Sequence, residues 1–209
     1  MNSVDAPAPS SGARRHGSAN ARSRELLLDA AEQLMRESGY AAVTSRRLAA
    51  AAGLKPQLVH YYFPSMDDLF LALFRRMCTR MLDNLNSVPD AEDPLKALWD
   101  VTANRDGVAL SYEFVGLANH RKDLKAEVAE FGDRMRAIKI GIMHRIMMAR
   151  GIANAAVTPS FAVVLLDSLA RNLALEAELG VHAGHAEALE AIERLLAQWS
   201  PGAGAGAQS

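Results

Sequence analysis

Cysteine is almost missing from this chain: Cys78 is the single one in 209 residues. That excludes an intramolecular disulfide framework and leaves no second thiol for a thiolate metal pair. Cys78 itself reads as a small buried or half-buried hydrophobe. Long apolar runs are also lacking. None approaches the ~18 residues a membrane-spanning helix needs, and the polar N-terminus has no apolar signal core, so no membrane partner and a cytoplasmic location are expected. Aromatic residues make up 6% of the chain, while Ala and Leu abound over long stretches free of Pro and Gly. Such a composition favours helices over a sheet of β-branched and aromatic residues. The expected fold is all-α.

The short motifs of catalysis are absent too. There is no P-loop, dinucleotide glycine fingerprint, HExxH or GxSxG, and no enzyme is expected. His182 and His185 stand three apart without a clear third ligand, so neither a metal nor another cofactor is expected. Asp167, Glu176 and Glu178 offer paired carboxylates with no groove to serve and read as solvated or interface charges.

What the chain does have is a charge asymmetry concealed by its net charge of -1. Up to Phe63, eight bases (Arg14, Arg15, Arg22, Arg24, Arg36, Arg46, Arg47, Lys55) oppose five acids (Asp5, Glu25, Asp29, Glu32, Glu37), a local +3; the remainder holds 15 bases and 19 acids, or -4. The basic end is where a phosphate contact is to be sought.

Residues 1–20 and 201–209, rich in Pro, Ser, Gly and Ala, lack apolar periodicity and read as disordered tails. Arg14, Arg15 and His16 are either a minor-groove arm or a solvated basic tail. Between the tails, periodicity, Gly and Pro punctuation and polar caps predict nine helices. The first runs from about Arg22 to Ser38, stopped by Gly39; the second is capped by Thr44 and ends near Ala52; the third spans Pro56 to Tyr62. The fourth is capped by Ser65 and reaches Asn86. The others cover about Pro94–Asn104, Val108–Asn119, Lys122–Arg150, Pro159–Gly180 and His185–Trp199.

From Thr44 to Phe63 the pattern is helix, glycine-bearing turn, then a helix crowded with polar and aromatic side chains. Leu48, Ala49, Ala52, Leu54 and Val59 supply the packing surface. Arg46, Lys55, Gln57, His60, Tyr61 and Tyr62 are left to face outward, where bases and phosphates would lie; the alternative is a helix pair whose Tyr and His side chains pack on a neighbour. The stretch Leu27–Leu69 resembles the N-terminal DNA-binding domain of the TetR regulators. The matching positions are Ala30-Ala31, Gly39-Tyr40, Thr44, Leu48-Ala49, Ala52-Gly53-Leu54, Tyr62-Phe63 and Ser65 through Leu69. The resemblance implies a three-helix DNA-binding domain over residues 21–65 and a ligand-binding and dimerisation domain over 66–200.

It also implies individual roles. Thr44, with Ser45 beside it, would cap the second helix and meet a phosphate. Arg46 would reach guanine or a phosphate. Lys55, Pro56 and Gln57 would begin the recognition helix and meet base edges, Gln57 able to pair bidentately with adenine. His60, Tyr61 and Tyr62 would press on the sugar-phosphate backbone. Two positions depart from the family's usual pattern: His60 replaces its commonest Tyr and Met66 its commonest Lys, the latter removing one phosphate contact.

For the second half the resemblance implies a cavity among helices four to eight and a four-helix dimer interface from the last two helices of each subunit. Met135 and Met143, with Ile138, Ile142, Ile146 and Met147, suit either an adaptable pocket or an irregular core. Trp99, Tyr112, Phe114, Phe131, His144 and Phe161 are the other candidate lining residues, and they suggest a small hydrophobic or amphipathic effector. The eighth segment is apolar around most of its circumference, which implies burial on two sides; Leu189, Ile192, Leu195, Leu196 and Trp199 would complete a dimer seam. The expected partners are double-stranded operator DNA, a second copy of the chain and the effector, in a repressor by family habit. A dimeric small-molecule binder of the same fold with lapsed DNA contacts is the alternative.

Overall fold

The computed structural model describes residues 11–152 and 157–199, with side chains from residue 20 onward. Among these residues there are nine α-helices and no strand. The chain divides into two compact units between Leu73 and Phe74.

The first unit holds α1 (Ser11–Ser38), a 3-10 turn (Tyr40–Ala42), α2 (Ser45–Ala51), α3 (Pro56–Tyr62) and the start of α4 (Met66–Asn86). Leu27, Leu28, Ala31, Leu34 and Met35 of α1 are buried, a spacing of three and four that keeps them on one face. Leu48 and Ala49 of α2 and Val59 of α3 are buried as well, each large aliphatic group contributing roughly 1.5–3 kcal/mol over its exposed state. Gly39 ends α1 at φ 76°, its N–H donating to the Met35 carbonyl at 3.0 Å. Gly53 makes the turn between α2 and α3 at φ 66°, and the next N–H, of Leu54, returns to the Ala49 carbonyl at 2.9 Å. Both φ values lie in the left-handed region that costs a residue with a Cβ.

Helix α1 corrects the expected start at Arg22. It reaches back to Ser11, through part of the segment read as a disordered tail; residues 1–10 and 200–209 lie outside the described residues. Once α1 is nucleated by its packed face, extension through Ala13, Arg14, Arg15 and Ala19 adds one hydrogen bond per residue at little cost, which tolerates Gly12 and Gly17.

The second unit contains the rest of α4, a 3-10 turn (Val88–Asp90), α5 (Pro94–Thr102), α6 (Arg105–Ala118), α7 (Lys122–Ala149), α8 (Pro159–Glu178) and α9 (His185–Gln198). Side-chain caps set several starts: Asp93 accepts from the N–H of Leu95 and Lys96, Asn104 from Gly107, and Thr158 from Phe161, replacing partners that the first turn lacks. The Asn104 cap starts α6 three residues before the expected Val108. α7 packs against α5, α6 and α8. Its Met135, Ile142, Met143, Ile146 and Met147 join Leu98, Trp99, Val163, Ile192 and Leu196 in one core. Asp93 also pairs with Arg150 at 2.9 Å, tying the end of α7 to the start of α5. No helix among the described residues is long and apolar enough to cross a membrane.

Candidate nucleic-acid interface and ligand cavity

In the first unit, burial of Leu48, Ala49 and Val59 fixes which faces of α2 and α3 remain outside. Thr44 is the N-cap of α2, its hydroxyl accepting the Arg47 N–H at 3.4 Å. Thr44, Arg46 and Arg47 are exposed and Ser45 is half-buried. Lys55 is the N-cap of α3 and Pro56 its first residue, where a missing N–H costs nothing. Lys55, Pro56, Gln57 and His60 are exposed, and Tyr61 is 67% exposed. The exposed residues of the helix pair thus include Thr44, two arginines, a lysine, a glutamine and a histidine, a set able to bind phosphates and base edges. Arg47, counted in the basic end of the sequence, is not among the outward-facing candidates there.

The aromatic run divides by role. Phe63 is buried, and the Arg24 guanidinium lies 5.2 Å from its ring centroid. Tyr62 is half-buried; its hydroxyl donates to Asn20 Oδ1 at 3.1 Å, and its ring meets Tyr61 edge-on. Tyr62 therefore ties α3 to α1 in this structure, whereas Tyr61 presents its ring outward. At the start of α4, Ser65 and Asp68 cap each other: the Asp68 N–H donates to Ser65 Oγ at 3.1 Å, and the Ser65 N–H to Asp68 Oδ2 at 3.0 Å. This reciprocal cap places a carboxylate in the first turn of α4, beside Met66.

The second unit has a cavity of about 370 Å³, open to solvent on one side, lined by α4, α6, α7 and α8. On α7, Val128, Phe131, Gly132, Met135, Arg136 and Lys139 line it, a stripe at helical spacing that runs from apolar to cationic. Phe74, Met77 and Met81 come from α4, Phe114 from α6, and Asp167 and Arg171 from α8. Phe74 packs edge-to-face on both Phe114 (5.2 Å) and Phe131 (5.8 Å). Lys139 Nζ donates to Asp167 Oδ1 at 2.6 Å, and Arg136 lies 3.8 Å from the other oxygen.

Of the residues expected at a cavity, Phe114, Phe131 and Met135 line this one. The others do not. Trp99 and Met143 are buried in the core, because the apolar stripe of α7 continues beyond the cavity into the packing against α5 and α8. Tyr112 is half-buried, its hydroxyl donating to the Arg171 carbonyl at 3.3 Å. His144 is exposed, and Phe161 is 53% exposed on the opposite side of α8 from buried Val163 and Asp167. Asp167, read as a solvated or interface charge, is 7% exposed in the cavity wall. The sequence signals for the missed residues were a lone acid on an otherwise apolar helix and the α7 stripe ending in Arg136 and Lys139. Ile192 and Leu196 are also core residues, with Trp199 packed against them; on α9 only Leu189 and Leu195 of the expected seam are exposed.

Residues 27–73 match the family model described as bacterial regulatory proteins, tetR family. Over 123 residues the chain is 36% identical to the HTH-type transcriptional regulator BetI of Rhizobium meliloti (strain 1021), a stretch covering 54% of this chain and 61% of that protein. The chain thus spans about three-fifths of the length of that curated relative. Similarity of fold reaches further. A TetR transcription regulator from Haloarcula marismortui ATCC 43049 superposes with a TM-score of 0.69 at 20% identity, covering 86% of this chain and 97% of that one. A transcriptional regulator from Saccharomonospora viridis, crystallised in complex with choline, gives 0.70 at 18% identity over 78% and 88%. Across the helix-turn-helix the chain is similar in sequence to the tetR family of bacterial regulatory proteins, and with the helices that follow it shares the fold of these solved regulators.

Proposed function

We propose that the protein is a dimeric transcriptional repressor that holds palindromic operator DNA through α2 and α3 and releases it when a small amphipathic molecule enters the cavity of the second unit. The observation that carries this reading is the exposed face of Thr44, Arg46, Arg47, Lys55, Gln57 and His60, lying within the segment that matches the family. Arg and Gln on that face can read guanine and adenine edges in a major groove, and Thr44 with the start of α2 suits a phosphate.

Dimerisation is supported by where apolar surface remains. Among the described residues, nine of the thirteen exposed large hydrophobic side chains fall between Phe161 and Leu195, a concentration that suits an interface better than open solvent. On α8, Phe161, Leu165 and Leu169 repeat every four residues, with Val164 beside them. A second copy covering this face, together with Leu189 and Leu195 of α9, gives the symmetric pair that a palindrome requires. Two recognition helices then meet successive major grooves about 34–36 Å apart.

The cavity supplies the response. The choline bound by the structurally similar Saccharomonospora regulator supports a small organic effector. α4 starts just after the helix-turn-helix and carries Phe74, Met77 and Met81 at the cavity, so effector binding is transmitted along it. A coupling of ~1–3 kcal/mol changes DNA affinity about 5–150-fold. The protein acts in the cytoplasm, where its DNA is.

Selection of bound genomic fragments at moderate salt tests the reading. A shared palindrome, with sequence preference relaxed by Gln57→Ala or Arg46→Ala, is expected. A folded dimer with no sequence-selective binding at any salt overturns it in favour of a small-molecule binder on a regulator's fold.

A further inference from the structure

The cavity changes character along its length. Phe74, Met77, Met81, Phe114, Phe131 and Met135 make one part apolar, whereas Asp133, Arg136, Lys139, Asp167 and Arg171 charge the other. The charges do not cancel: three cations against two carboxylates leave a formal +1. Nor are the carboxylates equally available. Asp167 is buried, with one oxygen 2.6 Å from Lys139 Nζ and the other 3.8 Å from the Arg136 guanidinium. Both its oxygens already face cations. Asp133 is exposed, so solvent screens its charge, and it stands one helical turn before Arg136 on α7.

Donors, in contrast, are in surplus. Lys139 has three N–H groups and Arg136 five, against one buried carboxylate that can accept only part of them, and Arg171 is a third cationic residue of the lining. A cationic head group entering here would meet a net positive wall whose inner carboxylate is committed. A carboxylate would meet planar guanidinium forks suited to it.

We infer that the cavity is selective for an amphipathic monoanion, with its apolar body among Phe74, Phe114 and Phe131 and its carboxylate at Arg136 and Arg171. The inference rests on the reading of this cavity as the effector site. A volume of about 370 Å³ is near the small end of the roughly 300–1,000 Å³ usual for ligand pockets, which favours a medium-chain or single-ring acid over a long acyl chain. The Arg136 side chain is 46% exposed, so its attraction is partly screened and weakens with salt.

Isothermal titration calorimetry of the full chain with octanoate, octanamide, octyltrimethylammonium and choline tests this. Octanoate is expected to bind about tenfold more tightly than octanamide, by a margin that shrinks as salt rises. Arg136→Gln and Arg171→Gln, both at exposed positions, are expected to weaken octanoate several-fold and octanamide by less, with circular dichroism confirming that each variant is folded. Equal affinity for octanoate and octanamide, or tighter binding of either cation, overturns anion selectivity while leaving the cavity as the effector site. Octanoate affinity unchanged in both variants overturns the assignment of the carboxylate to these arginines. Failure of all four compounds to bind at millimolar concentration removes the effector-site reading, and this inference with it.

Discussion

Replacing Asp167 by Asn should be more damaging than replacing Lys139 by Met, although the two side chains form a single pair. Their atoms are 2.6 Å apart, with the side chains 10% and 12% exposed. At an effective dielectric near 20 the Coulomb attraction at that distance is about 6 kcal/mol, and desolvation of two nearly buried ions removes several kcal/mol of it. A net coupling of about 1–3 kcal/mol remains. The asymmetry comes from Arg136, 46% exposed and 3.8 Å from Asp167. In Lys139→Met it can swing toward the carboxylate and limit the loss to about 1–2 kcal/mol. In Asp167→Asn two cations face each other with no buried anion between them, and the loss should reach about 2–4 kcal/mol. Urea denaturation of both single variants and of Lys139→Met/Asp167→Asn completes the cycle, measured at one protein concentration because dimerisation would shift apparent stability. Strictly additive losses, or a larger loss in Lys139→Met, would refute the reasoning.

Three further outcomes are expected. Gly53→Ala should cost about 1–2 kcal/mol in denaturant titrations: φ is +66° and a Cβ there meets no atom within 4 Å, so the whole loss comes from the backbone, and an unchanged stability contradicts the turn as described. The Cys78 thiol is pushed up to about 12, first by burial and then by the Glu127 charge; at pH 8 its thiolate fraction is roughly a thousandfold below that of a free cysteine, so prompt labelling of the folded chain by a thiol reagent would contradict this environment. The Glu176 carboxyl is held below its ordinary value first by the hydrogen bond to His185 and then by that to Asn172. A lowered folded value means that its stabilising contribution is complete above the ordinary value near 4.5 and is lost as pH falls through the lowered one. Glu176→Gln should therefore be less stable than the parent at neutral pH and converge with it in acid, and a stability gap that does not narrow as pH falls below 4.5 counts against the pairing.

Punctuation and local spacing made most of the helices legible. Gly39 stops α1, Thr44 caps α2, Pro56, Pro94 and Pro159 open α3, α5 and α8, and the burial of Leu48, Ala49 and Val59 follows from a period of three and four. These are local effects, contained within a turn or two of chain. For the same reason the outward face of the helix-turn-helix was readable: once its short packed face is known, Arg46, Lys55, Gln57 and His60 have nowhere else to point. Tyr62 is the exception, half-withdrawn because its hydroxyl finds Asn20 on α1, a partner 42 residues away.

Caps, breakers and amphipathic periods act through neighbours along the chain, and they account for the all-helical class, the helix order and the exposed polar face of the helix-turn-helix. Which apolar residues border empty space depends instead on how distant helices pack. Phe131, Met135 and Met143 are similar side chains on one helix, yet the first two line the cavity and the third is core; the difference lies in what α4, α6 and α8 leave unfilled. Asp167 and Lys139, 28 positions apart, become a buried pair only when α7 and α8 pack together, and the charge of the cavity arises from that packing.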